Sequence, residues 1–330
     1  MSGWIDIMIF ITFLRALATC IITNSHYNGI YPSDIIANGG LFGNIIFFAV
    51  SGYCLCNVKQ GFFKWYLKRV YRIYLPVIIA TLFFFIFGLK DYNEHSIIYW
   101  FVYPTDYHFI ASIIVLYIPF YFIMRLPLLK CNLRKVMLSI FLLWLLIYVA
   151  FYDKSYYHID VVDEYMVRFL YMEAMLMGAL FRKNDDIIRD KVKFRYLIFF
   201  IISFFLYFIS KSIFVAFDVV SCLQFINPIL ISFPLYFLFR FSMGIDYLLY
   251  KLPKFIRKIM DMLASMTLEI YIVQFVIINF IQKSNVNIFP INWLLLSLLI
   301  FISAFILHVF CKYLYKCIDH FRFDIKDFFE

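Results

Sequence analysis

Long apolar runs separated by short polar segments make up almost the whole chain. A run of about 20 apolar residues forms an α-helix that is long enough to cross the hydrocarbon core of a membrane. The pattern therefore predicts an all-α integral membrane protein with ten transmembrane helices. Pro228 and Pro234 lie in the eighth run, where we expect a kink or a break. The ten runs cover residues 5–23, 41–58, 74–89, 109–124, 136–152, 165–181, 194–217, 223–239, 262–282 and 291–311.

Lysine and arginine are distributed unevenly among the polar segments. If the N-terminus is inside, the inner segments hold 24 of the 30 lysines and arginines, and the outer segments hold 4. Basic loops stay on the cytoplasmic side of a membrane. The split predicts that both termini are cytoplasmic and that the number of helices is even. It also accounts for the net charge of +9 without a nucleic-acid partner, and we expect none.

Composition agrees with a membrane protein, since 65% of the residues are hydrophobic and 15% are charged. Soluble domains are about half apolar and about a quarter charged. No long polar stretch separates the runs, so we expect one membrane domain over 1–330 with no appended soluble domain. The first run lacks the basic start and the small-residue cleavage site of a signal peptide. The seven cysteines have neither a disulfide framework nor zinc-like spacing, so we expect no metal.

Arg15 lies in the middle of the first run, and His26 follows eleven residues later. A charge at that depth costs about 3 kcal/mol on insertion scales, and such residues usually face a bundle interior or a wet cavity. On one continuous helix the two side chains would point in nearly the same direction, about 16 Å apart along the axis. Histidine suits general base catalysis near neutral pH. The alternative is an arginine that anchors a neighbouring helix, with an interfacial histidine.

Small residues surround the start and the middle of the second run. Gly39 and Gly40 precede it on the outer side, and Ser51 and Gly52 lie inside it. Small residues within a membrane allow two helices to approach closely, which is their commoner role. They also leave room for a thin ligand.

The first cytoplasmic segment is basic. If it is helical, Lys64, Lys68 and Arg72 form one stripe and Arg69 lies beside it. One interpretation is an amphipathic helix at an anionic lipid leaflet, and on its own this is the commoner case. The other is a phosphate site, because arginine binds phosphate oxygens in a bidentate manner.

These three segments, in this order, resemble the acyltransferase-3 family of multi-pass membrane O-acyltransferases. The family has an arginine followed after ten residues by a histidine, a Gly-Gly lead-in, a Phe-Phe-x-x-Ser-Gly core and an Arg-x-x-Arg-Ile-x-x-Pro segment. In this chain these motifs correspond to Arg15 and His26, Gly39 and Gly40, Phe47 to Gly52, and Arg69 to Pro76. The resemblance covers the whole chain.

Two positions depart from the family pattern. His108 stands where the fourth helix often has tryptophan, and Gln274 stands where the ninth-helix segment, from Ser265 through Tyr271, often ends in histidine. We therefore assign no catalytic role to the ninth helix.

The resemblance implies an O-acyltransferase, of the O-acetyltransferase type, in a bacterial cytoplasmic membrane. Acetyl-CoA or another acyl-CoA would bind from the cytoplasm, with its phosphates on Lys68, Arg69 and Arg72 and with Ser51 and Gly52 lining its path. His26 would deprotonate a sugar hydroxyl of a surface glycan or glycolipid, and Arg15 would stabilise negative charge or position the donor. Membrane lipid, acyl-CoA and the sugar acceptor are the expected partners. The alternative function is a transporter or flippase of a glycan or lipid intermediate.

The remaining ionisable residues have less specific interpretations. Arg168 faces a cavity or extends to the interface, and Glu173 is not placed to pair with it. Glu269 suggests an interfacial cap or an ion pair. We expect the acidic and histidine residues of the outer loops to be solvated, although one of the acids could orient His26. These are Asp34, Asp91, Glu94, His95, Asp106, His108, Asp153, His158, Asp160, Asp163 and Glu164.

Overall fold

The computed structural model describes residues 8–91, 93, 95–101, 107–161, 164–185, 193–283 and 288–329. These residues form helices joined by turns, with no strand among them. Glu94, Asp106 and Asp163, three of the acids considered as partners of His26, lie outside the described residues.

Nine of the ten predicted runs each overlap one long helix, and run 262–282 overlaps two. Helices are expected in apolar runs because a lipid-exposed backbone must satisfy its hydrogen bonds internally. Four shorter helices, α4, α6, α11 and α12, join them. The helices are α1 (Ile9–Asn24), α2 (Gly40–Leu55), α3 (Phe62–Ile86), α4 (Ile97–Phe101), α5 (His108–Arg125), α6 (Pro127–Cys131), α7 (Leu133–Phe151), α8 (Tyr165–Lys183), α9 (Arg195–Ala216), α10 (Ile226–Gly244), α11 (Asp246–Tyr250), α12 (Lys254–Ser265), α13 (Thr267–Lys283) and α14 (Ile291–Phe329).

Seven of the described helices are long and apolar enough to span a membrane, and there are up to eight if α12 and α13 form one broken span. The chain is therefore an all-helical membrane protein. Helix α1 is apolar but has only 16 residues. Ten spans and two cytoplasmic termini stay predictions.

Two details of the predicted helices differ from the structure. Run 262–282 is not one helix, because its first residues belong to the amphipathic helix α12 and the rest to α13. Of the kink or break expected in the eighth run, a break at Pro234 does not occur, since α10 continues through this residue. Pro228 lies in the first turn of α10, where a backbone N–H has no helical partner to lose.

The chain forms two compact units, each assembled from three separate stretches. Unit 1 comprises Met1–Ile22, Gly39–Phe62 and His108–Ala264. Unit 2 comprises Thr23–Asn38, Phe63–Tyr107 and Ser265–Glu330.

Unit 1 is organised around a very close crossing of α2 and α8. A Cβ atom on Gly52 would lie 1.9 Å from the carbonyl oxygen of Met175, and one on Gly178 would lie 1.8 Å from that of Ala49. Both distances are far below van der Waals contact, so only glycine fits at either position. The close-packing interpretation therefore accounts for Gly52.

Aromatic and polar contacts extend the crossing towards the N-terminal ends of the two helices. The rings of Phe48 and Tyr171 stack with their centroids 4.3 Å apart. The Asn44 side-chain amide donates a hydrogen bond of 3.1 Å to the Tyr171 hydroxyl. Both residues of this hydrogen bond are buried, so it satisfies polar groups that lipid could not.

Candidate functional site

His26 lies in a turn that directly follows α1. The helix ends at Asn24, and the His26 backbone N–H donates to the Thr23 carbonyl at 3.1 Å. The helical spacing assumed between Arg15 and His26 is therefore wrong for its last two residues. The imidazole is half-buried and packs edge-on against Phe275 of α13, with ring centroids 4.6 Å apart.

Burial lowers the pKa of the His26 imidazole from 6.5 to about 4, because the charged form loses its hydration. The ring is then neutral at physiological pH, which is the form that accepts a proton. Within the described part of the chain, neither ring nitrogen of His26 has a hydrogen-bond partner.

The turn that carries His26 is held by three side-chain amides. Asn24 donates to the Ile36 carbonyl at 2.8 Å, Gln282 to the Asn28 carbonyl at 2.7 Å, and Asn292 to the Ile30 carbonyl at 2.9 Å. Each amide satisfies a carbonyl that is outside regular helix. The sequence analysis missed these residues, because their positions near helix ends are typical of many polar residues without a site role.

Tyrosine hydroxyls complete the support of the same turn. Tyr27 shares a hydrogen bond of 3.1 Å with Ser297 of α14, and Tyr31 donates to the Asn24 side-chain oxygen at 2.7 Å. With the amide contacts, they attach the segment after α1 to both α13 and α14. The imidazole is therefore carried by an ordered turn and not by a free loop.

Arg15 lies in α1 within unit 1 and is half-buried. It acts electrostatically on the Cys54 thiol near the C-terminal end of α2. The first turn of α1 is fixed by Asp246, whose carboxylate accepts a 2.7 Å hydrogen bond from the Phe10 backbone N–H. A carboxylate at this position also offsets the positive end of the helix dipole. Ser51, the other candidate from α2, is half-buried in the same unit.

The segment predicted to be the first cytoplasmic loop is helical, as the basic stripe required. Lys64, Lys68 and Arg72 are all exposed on α3. The stripe is attached to α14 through the Arg72 carbonyl, which accepts a 2.7 Å hydrogen bond from the Tyr315 hydroxyl.

Arg69 differs from the stripe because its guanidinium is partly committed to its own helix. The group stacks 3.9 Å from the centroid of the buried Trp65 ring and donates to the Trp65 carbonyl at 2.8 Å. Arg72 therefore has more of its donors available to a phosphate than Arg69 has.

Unit 2 also contains a partly buried carboxylate–histidine pair. The Glu269 carboxylate is 2.9 Å from Nδ1 of His308, so Glu269 forms an ion pair or hydrogen bond of the kind expected. The second carboxylate oxygen is buried without a partner among the described residues, and so are both polar atoms of Gln274. The sequence analysis missed His308, because the helical pattern does not show which faces of α13 and α14 meet.

Among the residues of the predicted outer loops, the expectation of solvated charge is wrong for Asp160 and His158, which are both buried. Asp160 accepts hydrogen bonds from Lys211 at 2.6 Å and from the Tyr207 hydroxyl at 3.1 Å. The fully buried Gln224 side chain accepts from the backbone N–H groups of His158 and Ile159, each at 2.9 Å. These contacts anchor the loop to unit 1, so its charges are structural.

The comparisons with known proteins assign the family. A sequence model described as an acyltransferase domain, that of the acyltransferase-3 family, matches residues 8–312. No curated protein and no solved structure matches the chain. The match covers nearly the whole chain, including α1 through most of α14, and it spans His26, Arg15 and the basic stripe of α3. The chain belongs to the acyltransferase-3 family, and it is a membrane acyltransferase.

Proposed function

We propose that this protein is an O-acetyltransferase of a bacterial cytoplasmic membrane. It moves an acetyl group from cytoplasmic acetyl-CoA to a sugar hydroxyl of a cell-surface glycan or glycolipid. The proposal is carried by one observation. Unit 2 contains both a half-buried, neutral histidine in an ordered turn and an exposed basic stripe on α3. A proton acceptor and an anion-binding helix are the two elements that this transfer requires.

His26 acts as the general base in this proposal. A neutral imidazole takes the proton from the sugar hydroxyl as the hydroxyl oxygen attacks the thioester carbonyl. The C–O bond forms, the C–S bond breaks, and the proton is delivered to the departing CoA thiolate. Because burial lowers the pKa of His26 to about 4, the ring is a weak base and the reaction needs its developing negative charge stabilised.

Arg15, which belongs to unit 1, would stabilise negative charge or position the donor. A half-buried guanidinium in an apolar helix is a fixed positive charge that needs no reorganisation as an oxyanion develops. Its charge does not depend on pH in the working range of the protein.

The donor binds through its phosphates to α3. Arg72 and Lys68 are exposed and cationic. Arg69 stacks on Trp65, and one of its guanidinium N–H groups already donates to the Trp65 carbonyl. Ser51 offers a half-buried hydroxyl to the acyl or pantetheine portion, while Gly52 keeps α2 in place against α8.

The test uses purified protein with acetyl-CoA and glycan isolated from cells that lack the protein. We expect free CoA to appear only when the glycan is present, and mass spectrometry to find new acetyl esters on it. His26→Ala should lower the rate by about two to four orders of magnitude, the usual effect of removing a general base.

His95→Ala is the matched control, because His95 is an exposed histidine of the same unit. It should leave the rate unchanged. A His26→Ala variant within threefold of the parent, at equal expression, would give His26 a structural role. Acceptor movement across the membrane without CoA release would favour the transporter or flippase.

A further inference from the structure

A cavity of about 610 Å³ lies within unit 1 between α7, α8 and α10. None of the residues assigned above to acyl transfer lines it. Its walls are mostly apolar and aromatic, and they include Leu138, Phe141, Trp144, Leu170, Met177 and Phe233. A volume of this size is in the usual range of small-molecule sites, about 300–1,000 Å³.

The cavity opens to the surface of the unit between α7 and α10. Leu138 of α7 is 58% exposed, and on α10 Phe233 is 48% exposed and Tyr236 is 38% exposed. All three line the cavity. Because α7 and α10 are candidate membrane spans, this opening faces hydrocarbon, and the molecules that reach it are lipids.

Glu173 is the one carboxylic acid among the residues that line the cavity. Its Oε1 atom is buried and has no hydrogen-bond partner in the part of the chain that the structure describes. The nearby polar group on α10 is already used, since the Ser232 hydroxyl donates to the Pro228 carbonyl at 2.9 Å. A buried polar group without a partner is rare in proteins and needs an explanation.

The depth of Glu173 restricts the ligand that would partner it. Glu173 is near the midpoint of α8, roughly 13 Å from either helix end. A charged head group at this depth would lose its hydration, so phospholipid heads are excluded. An uncharged hydroxyl or ester oxygen can enter, and it exchanges a hydrogen bond with a carboxyl group.

We propose that this cavity binds a neutral lipid, a long hydrocarbon chain that ends in an uncharged hydroxyl or ester group. The chain fills the apolar walls, and its oxygen hydrogen-bonds to Glu173. This site is separate from the acyl-transfer residues, and the proposal does not depend on the reaction proposed above.

Trp144 lines the cavity and supplies the signal for the test. Purified protein in detergent is titrated with three dibrominated 18-carbon probes, an alcohol, a methyl ester and a carboxylate, because bromine quenches nearby tryptophan fluorescence. We expect saturable quenching by the alcohol, the ester or both, and competition by the unbrominated lipid. Whether the alcohol or the ester binds shows whether the ligand oxygen belongs to a hydroxyl or an ester group. The carboxylate should bind at least tenfold more weakly.

Two variants assign the signal and the contact. In Trp144→Phe the saturable quenching should disappear, although the other four tryptophans remain. Glu173→Leu should weaken binding by about three- to tenfold, the effect of one hydrogen bond. Leu142→Met, at an exposed residue of α7 that does not line the cavity, should leave affinity within twofold.

Glu173→Gln guards against misfolding, because an amide keeps a donor and an acceptor at nearly the same volume, and it should retain most of the binding. Equal, non-saturable quenching in the parent, Glu173→Leu and Trp144→Phe would overturn the proposal. It would show that the probes contact the protein surface unspecifically and do not occupy the cavity. Carboxylate binding as tight as alcohol and ester binding would also overturn it.

Discussion

The surroundings of His26 decide what this residue can do. Its ring packs against Phe275 and is half-buried, so the charged imidazolium is disfavoured and the pKa falls to about 4. A neutral base is therefore present over a wider pH range than an ordinary histidine would allow. The weaker basicity that accompanies it makes catalysis more dependent on electrostatic help, the role proposed for Arg15.

The pH dependence of the reaction tests this environment. As pH falls, a base is lost only when it becomes protonated, so kcat/KM for the acceptor should stay level from pH 7.5 to 5.5. An imidazole with the ordinary pKa of 6.5 would lose about tenfold over this range. The measurement is the initial rate of CoA release at low acceptor concentration across the pH series.

Phe275→Ala should expose the His26 ring to water and so raise its pKa. The pH at which kcat/KM begins to fall on acidification should then move up, towards 6.5. Phe280→Ala is its control, because Phe280 lies on the same helix and is 64% exposed. A parent enzyme that already loses half of its kcat/KM near pH 6.5 would contradict the proposed burial of the base.

At the residue scale, the sequence showed which residues are unusual for their position more readily than which residues they contact. Arg15 and His26 were evident because a charged or titratable group in an apolar run is rare. The contact of His26 with Phe275, and that of Glu269 with His308, depend on how α1, α13 and α14 are rotated about their axes. Hydropathy does not specify that rotation.

At the scale of elements, α3 joins a basic surface to a membrane helix. Its exposed Lys64, Lys68 and Arg72 fit both a lipid-leaflet anchor and a phosphate site, since each uses the same charges. The two differ in geometry, because a leaflet responds mainly to charge whereas a bound phosphate also uses the planar fork of arginine.

Arg72→Lys separates the two roles of α3. The charge, and with it the orientation in the membrane, is retained, while bidentate contact with phosphate is lost. We expect the apparent KM for acetyl-CoA to rise about three- to tenfold, with little change in that for the acceptor. Steady-state kinetics at saturating acceptor measures this effect.

Arg125→Lys, the same change at an exposed arginine in the last turn of α5, should be silent. If Arg72→Lys matches the parent, and an Arg69→Ala, Arg72→Ala double variant does as well, then α3 only anchors the protein to the leaflet.

Sequence reasoning placed the elements well, because hydropathy alone determines which segments enter lipid. It placed a helix at every run but did not separate α12 from α13, since the apolar face of an amphipathic helix extends the neighbouring run. It also left the role of Gly52 open. Close helix packing and space for a ligand both require a small residue, so the sequence alone does not distinguish them. The structure does, because the Met175 backbone lies directly against Gly52.

At the scale of the whole molecule, the number of spans is the main open prediction. Helix α1, with 16 residues, rises about 24 Å, somewhat less than the hydrocarbon core. The distribution of lysine and arginine nevertheless predicts that it crosses, because the segment after it, residues 24–40, contains neither residue.

Reporter fusions test the ten-span arrangement. A fusion after Asn38 should report the outside and one after Lys193 the inside, with a fusion after Gly61 as an inside reference. Alkaline phosphatase and green fluorescent protein, which are active on opposite sides, provide the readout. Matching signals after Asn38 and Lys193 would refute the arrangement.

The division into two units was not predictable from the chain. Each unit is assembled from three separate stretches, and α1 itself contributes to both. Apolar runs of similar length and composition carry no information about which helix packs with which. The single domain over 1–330 stays a prediction about independent folding.

The glycine contact between α2 and α8 has a consequence for permeability. A membrane enzyme must not let ions leak along its helix seams. At Gly52 and Gly178 the two backbones leave less space than one methyl group, and a file of water molecules needs considerably more. The crossing is therefore too tight for a file of water molecules, and we expect a polar side chain at either glycine to separate the helices and admit water to the seam.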